Sequence, residues 1–271
     1  MSQDKDYILG TNHDELKRLG LQHNVWRPYV TECWQRAGIS TGHSVLDVGA
    51  GPGYATLDLA EMVGEKGKVY AIEKSAGFTD WIKQTCIDRK LTNVTVYESD
   101  LINDELPDIM VDFTWCRWVA SFVSDPGLLI HKIGKMLPKG GSSIFFEYGD
   151  YSTWRLAPQN DVIEKFVDEV MQSWRDSGGE PDIALKLPSL LVKEGFRVRS
   201  VKPHIFCIRP NEYTWKWPAA FIGTNLNRLT NLGRITTQWA KSVRKELEKT
   251  ESNPNSYMIT PLVLEIIAEK I

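Results

Sequence analysis

Between residues 43 and 147 short apolar runs alternate with longer segments of helical period, and this alternation restricts the fold more than any other feature of the chain. HSVLDVG, KVYAIEK, VTVYESD, MVDFTWCRW and SSIFFEY read as strands, with YATLDLAEMVGE, GFTDWIKQTCIDRK and DPGLLIHKIGKML as the helices between them. Strands and helices of these lengths require right-handed crossovers and a mostly parallel sheet with helices on both faces. Turn chemistry agrees, because Lys139-Gly140-Gly141 ends a helix and Asp125-Pro126 starts one.

The flanks read as additions to that core. HDELKRLGLQHNVWRPYVTECWQRAG is expected to form two helices, the first interrupted near Gly20, so that residues 1–40 make an N-terminal helical cover. NDVIEKFVDEVMQSWRDSGG and PDIALKLPSLLVKEG follow as amphipathic helices, and FRVRSVKPHIFCIRP as an alternating strand. Residues 211–255 are polar and aromatic with helical stretches and are expected to be a lid inserted into a core of 41–210 and 256–271. The closing SYMITPLVLEIIAEKI suits a strand or a helix, and Val263, Leu264, Ile266 and Ile267 favour a covered strand.

Composition excludes several classes. The 271 residues carry a net charge of -3, which argues against nucleic-acid binding through bulk electrostatics. The opening MSQDKDYILG lacks the basic and then apolar order of a signal peptide, and no apolar run is long enough for a membrane span, so a cytoplasmic location is expected. Cys33, Cys86, Cys116 and Cys207 are widely separated and are expected to be reduced and packed. No His, Asp and Glu cluster has ligand spacing, so no metal is expected.

The strand VLDV leads into GAGPG, and a strand that runs through glycines into a helix puts backbone N–H groups and a positive helix end at one point, a place for a nucleotide. A dinucleotide fingerprint counted from Gly49 and Gly51 needs a third glycine where Tyr54 stands; the third glycine is Gly53 instead. An acid, one residue, then G-x-G-x-G from Asp47 to Gly53 resembles the first motif of the class I S-adenosylmethionine-dependent methyltransferases of small-molecule type. That resemblance implies a Rossmann-like seven-stranded sheet and S-adenosylmethionine as cofactor. Asp47, Gly49, Ala50 and Gly51 would form the turn around it. Glu73, with Lys74 beside it, would take the ribose hydroxyls, and Asp100 and Leu101 the adenine. Cys116 and Arg117, closing the fourth strand, would border the methionine end. Each acid has a plainer reading, Asp47 as a cap of the turn and Glu73 and Asp100 as solvated strand ends, and Cys116 and Arg117 suit plain packing equally well.

Methyl transfer from a sulfonium needs chiefly an aligned acceptor and excluded water, so the absence of a triad is no objection. Glu147, directly after IFF, and His23 are the candidate general bases, against a paired carboxylate and a packed histidine as the plain alternatives. Trp118, Tyr148, Tyr151 and His204 are further pocket candidates, and the dense aromatics, including Tyr7, Trp26, Trp154, Trp174, Tyr213, Trp215, Trp217 and Phe221, suit a lidded apolar pocket. TWCRW departs from the Asn/Asp-Pro-Pro-aromatic pattern of methyltransferases for nucleic-acid bases or glutamine. Nine Lys or Arg against three Glu between Lys202 and Lys249 keep an RNA acceptor open beside a small metabolite, and a non-catalytic S-adenosylmethionine-binding regulatory protein fits the same cofactor motif. The oligomeric state is not readable from the chain.

Overall fold

The computed structural model describes residues 13–271; Tyr7 and the rest of 1–12 lie outside the described residues. Helix α1 (His13–Ala37) is one continuous helix where two were expected. A Cβ at Gly20 would stand 2.9 Å from the Tyr54 hydroxyl, so this glycine allows a close approach instead of ending the helix. Val25, Trp26, Val30, Cys33 and Trp34 recur on one face and are all buried, which is enough to carry the helix through Gly20 and Pro28.

The core then runs β1 (Ser44–Val48), α2 (Tyr54–Val63), β2 (Lys68–Glu73), α3 (Ala76–Asp88), β3 (Val94–Glu98), β4 (Phe113–Arg117), α4 (Pro126–Lys135) and β5 (Ser142–Asp150). Each strand and helix here was anticipated, most with shorter ends, while β5 runs two residues further than expected and α3 starts one residue earlier. Beyond it come β6 (Arg155–Ala157), α5 (Asp161–Asp176), α6 (Leu187–Lys193), β7 (Phe196–His204), β8 (Cys207–Ile208), α7 (Lys216–Asn231), α8 (Thr237–Ser252), β9 (Tyr257–Ile259) and β10 (Leu262–Lys270). The main sheet has seven strands in the order β3-β2-β1-β4-β5-β10-β7, parallel except for β10, which is antiparallel to both neighbours. It is a Rossmann-like sheet with helices on both faces.

The pleat divides the core. Val45, Trp115, Ile144 and Phe146 face α1, α5 and α7, while Leu46, Cys116 and Phe145 face α4 and α6. Three strand stubs, β6, β9 and β8, form a second sheet that was not anticipated. It exists because FRVRSVKPHIFCIRP breaks after His204 into β7 and β8, and SYMITPLVLEIIAEKI breaks before Leu262 into β9 and β10. The expected insertion at 211–255 holds α7 and α8, which pack against α5, with α7 also on α1. Cys33, Cys86 and Cys116 are buried, but Cys207 is exposed. Among the described residues no helix is long and apolar enough to cross a membrane.

Candidate functional site

A cavity of about 340 Å³ opens at the carboxyl ends of β1, β2, β3 and β4. The glycine turn forms its floor, and its three glycines all have positive φ, at 67°, 55° and 80° for Gly49, Gly51 and Gly53. They differ in what a side chain would meet. A Cβ at Gly49 would lie 2.6 Å from Val119 Cγ2, and one at Gly53 would lie 2.5 Å from Ile82 Cγ1, so both are closed by the protein itself. At Gly51 nothing lies within 4 Å, and that residue is on the cavity wall. A side chain there would grow into the space a ligand would use.

The acids behind the turn are held by named donors. Asp47 is buried and accepts from Thr56 Oγ1 at 2.6 Å; burial raises its pKa to about 6, against the pull of Thr56 and Arg117. Glu73 accepts the Gly51 N–H at 2.8 Å on Oε2 and the Ser75 N–H at 2.9 Å on Oε1, which ties the end of β2 to the glycine turn. Burial raises its pKa, with the backbone donors opposing. Each of its oxygens keeps acceptor capacity for a second donor. Asp100 accepts from the N–H of Ile102 at 2.8 Å and of Asn103 at 3.0 Å; burial alone would raise its pKa, and these donors more than offset that, leaving it below the ordinary carboxylate value. Ala50, Lys74 and Leu101 share the wall with them.

Four other anticipated residues lie elsewhere. Cys116 is fully buried and does not line the cavity, because the pleat sends Trp115 and Arg117 to the cavity side and Cys116 to the α4 side. Glu147 stands on that same far face with no exposure. Its Oε1 accepts the N–H groups of Val119 at 2.7 Å and Ala120 at 2.8 Å, and burial pushes its pKa up to about 7 despite those donors. It anchors the turn after β4 from behind and does not line the cavity. His23 is buried beside the cavity with Nε2 3.0 Å from Asp58 Oδ2 and Nδ1 3.3 Å from Arg117 Nη2. Since arginine only donates, Nδ1 accepts and Nε2–H donates to Asp58. Burial lowers its pKa, Asp58 opposes, and Arg117 lowers it further, so it is a neutral hydrogen-bond link. His204 pairs with Glu265 at 3.1 Å, away from the cavity.

The side of the cavity beyond the turn is built by residues that sequence reasoning did not single out. Leu19 and Gln22 come from α1, Tyr54 from α2, Val119 and Phe122 from the turn after β4, and Ser177 from the end of α5. Leu19, Gln22, His23 and Trp26 fall on one helical face, a signal that could have been read; Ser177 arrives through tertiary packing and had none. Trp118, the anticipated pocket residue, lines the wall with a φ of 53°, a strained value for a bulky side chain. Tyr148 and Tyr151 lie outside the wall in a buried aromatic cluster with Trp217. No residue of 211–255 lines the cavity.

Comparison with known proteins agrees with the geometry. Residues 45–141 match the model of a family described as a methyltransferase domain. The ubiquinone/menaquinone biosynthesis C-methyltransferase UbiE of Cellvibrio japonicus is 25% identical over 147 residues, which are 54% of this chain and 55% of that protein. The (S)-coclaurine N-methyltransferase of Thalictrum flavum subsp. glaucum is 31% identical over 120 residues, 44% of this chain and 32% of that protein. The chain thus spans about half the length, or less, of these curated relatives. The crystal structure of the YcgJ protein from Bacillus subtilis shares the fold, with a TM-score of 0.59 over 92% of this chain and 98% of that one at 13% identity. Residues 45–141 are thus similar to a methyltransferase domain, and the seven-stranded sheet they help to build has the Rossmann-like fold of that solved structure.

Proposed function

We propose that the protein transfers a methyl group from S-adenosylmethionine to an oxygen, nitrogen or carbon atom of a small-molecule metabolite. The observation that carries this reading is the Gly51 position, where a positive φ, open space in front of the Cβ direction and the Glu73 carboxylate behind the N–H together make a cradle for a ligand. The residues present fit the cofactor. Asp47, Gly49, Ala50 and Gly51 would hold it at the turn, Glu73 and Lys74 at the ribose, and Asp100 and Leu101 at the adenine. Bound there, it would supply a methyl group already activated by the sulfonium.

What remains for the protein is alignment and exclusion of water. Leu19, Trp118, Phe122 and Val123 give the acceptor side an apolar wall, suited to a small organic molecule. Glu147 and His23 are turned to backbone and to Asp58, so the reading needs no general base from them. The named relatives act at carbon and at nitrogen, which supports a small-molecule acceptor and leaves its atom open. The basic stretch supports it too: Lys202 pairs with Glu32, Arg234 with Glu169 and Asp176, and Lys249 with Glu246, and none of these basic residues reaches the cavity.

Calorimetry with S-adenosylmethionine, S-adenosylhomocysteine and NAD, followed by methyl uptake into fractionated metabolite and tRNA pools, tests the reading. Binding of both adenosyl compounds but not NAD, with label entering small molecules, is expected. Tight NAD binding without adenosyl binding overturns it; label in tRNA would favour an RNA acceptor, and binding without any uptake a regulatory protein.

A further inference from the structure

Arg117 closes β4 on the cavity side, with its guanidinium 5.1 Å above the Trp118 ring. Among the described residues no carboxylate oxygen lies within ion-pair distance of it, and its Nη1 has no hydrogen-bond partner. Arg36, Arg27 and Arg234 are paired at contact with Glu265, Asp58 and Glu169, whereas the partly buried Arg228 bonds Asn225 Oδ1 and does not line the cavity. Burial pushes the pKa of Arg117 down to about 10, with the more distant Asp47 and Asp58 opposing. A desolvated cation without a counter-ion is costly, and one that lies on a cavity wall marks a candidate ligand contact.

The guanidinium is also aimed. Arg27 grips Asp58 with Nε at 2.6 Å and Nη2 at 3.0 Å; Asp58 accepts from His23 Nε2, and His23 Nδ1 accepts from Arg117 Nη2. A neutral histidine orients the guanidinium without cancelling its charge. Residues from α1, α2 and β4 therefore cooperate to hold one planar cation at a cavity wall. We propose that Arg117 is a carboxylate-binding subsite of this cavity, with His23 and Asp58 as its positioning residues. The planar fork of the guanidinium matches a carboxylate. The proposal rests on the methyltransferase reading, and the carboxylate belongs either to the amino-acid end of the cofactor or to the acceptor.

The test compares ligands that differ only in that group. On the native protein, decarboxylated S-adenosylmethionine is expected to bind at least about ten-fold more weakly than S-adenosylmethionine, the loss of one charged hydrogen-bonded pair. In Arg117→Met that gap should close, with 5′-methylthioadenosine affinity unchanged; in His23→Leu it should narrow. If native protein shows no gap, benzoate is titrated into its S-adenosylhomocysteine complex, and binding that Arg117→Met abolishes assigns the subsite to an acceptor carboxylate. No gap and no Arg117-dependent benzoate binding overturn the proposal while leaving the methyltransferase reading intact. Failure of the native protein to bind any adenosyl compound overturns that reading, and the subsite with it.

Discussion

A single glycine can be required for its backbone, for its neighbours or for a ligand, and the turn after β1 separates these uses. Gly53 shares the left-handed conformation of Gly51, but it also lies against Ile82, whereas Gly51 faces only the cavity. Replacing Gly53 by Ala should therefore cost roughly 2–4 kcal/mol of stability from strain plus overpacking. Gly51→Leu should cost only the strain, roughly 1–2 kcal/mol, yet raise the dissociation constant for S-adenosylhomocysteine by about a hundred-fold or more. Urea unfolding and calorimetry on both variants check this. Undiminished affinity in Gly51→Leu would mean that the ligand lies elsewhere. The glycine spacing was readable because it is local, and so were Asp47, Glu73 and Asp100, each a fixed step from the end of a strand.

At the level of elements, the parallel core was legible because its strands are continuous apolar runs and its helices carry a clear period. Which side of each strand met the cavity was not assigned. Taken from Asp47, which faces the cavity, the pleat puts Trp115 and Arg117 with it and Cys116 and Glu147 behind, and that alternation was present in the residues. The three-residue strands β6 and β9 and the two-residue β8 carry too little pattern to be seen in a sequence. Helix α7 was expected to cover a pocket, and it covers an aromatic layer: Trp217 lies 4.9 Å from Trp26 and 6.4 Å from both Trp118 and Tyr148. Trp217→Ala should accordingly remove about 3–5 kcal/mol from unfolding in urea. A loss below about 1 kcal/mol would mark α7 as a loosely attached flap.

For the molecule as a whole, buried acids shape how stability varies with pH, Glu147 and Asp47 among them with large upward shifts. Glu147 is raised from 4.5 to about 7 and Asp47 from 3.8 to about 6. The folded state therefore keeps protons that the unfolded chain has released. The contribution is complete below about pH 4 and is lost as pH rises through 6 and 7. Asp58 and Asp100 are lowered, Asp58 because His23 and Arg27 together outweigh its burial, so they act oppositely, and stability falls again in strong acid. Glu147→Gln keeps an oxygen for Val119 and Ala120 and has no proton to lose, so the decline from pH 5 to 7.5 should shrink by a few kcal/mol. Unfolding free energies of the two proteins at those pH values give the answer; equal declines would assign the effect to other groups.

Strand β10 sits between β5 and β7, and its Leu264 is paired with Glu147 on one side and Pro203 on the other. During synthesis, β3, β2, β1, β4 and β5 can assemble as the chain emerges, but β5 must then wait for residues 262–270 with an almost wholly buried-type strand as its open edge. β7 waits as well, having no other partner in that sheet. Completing the sheet thus requires the insertion of one strand between two that precede it in the chain, a long-range closure before which the edges of β5 and β7 are open to pairing with other chains.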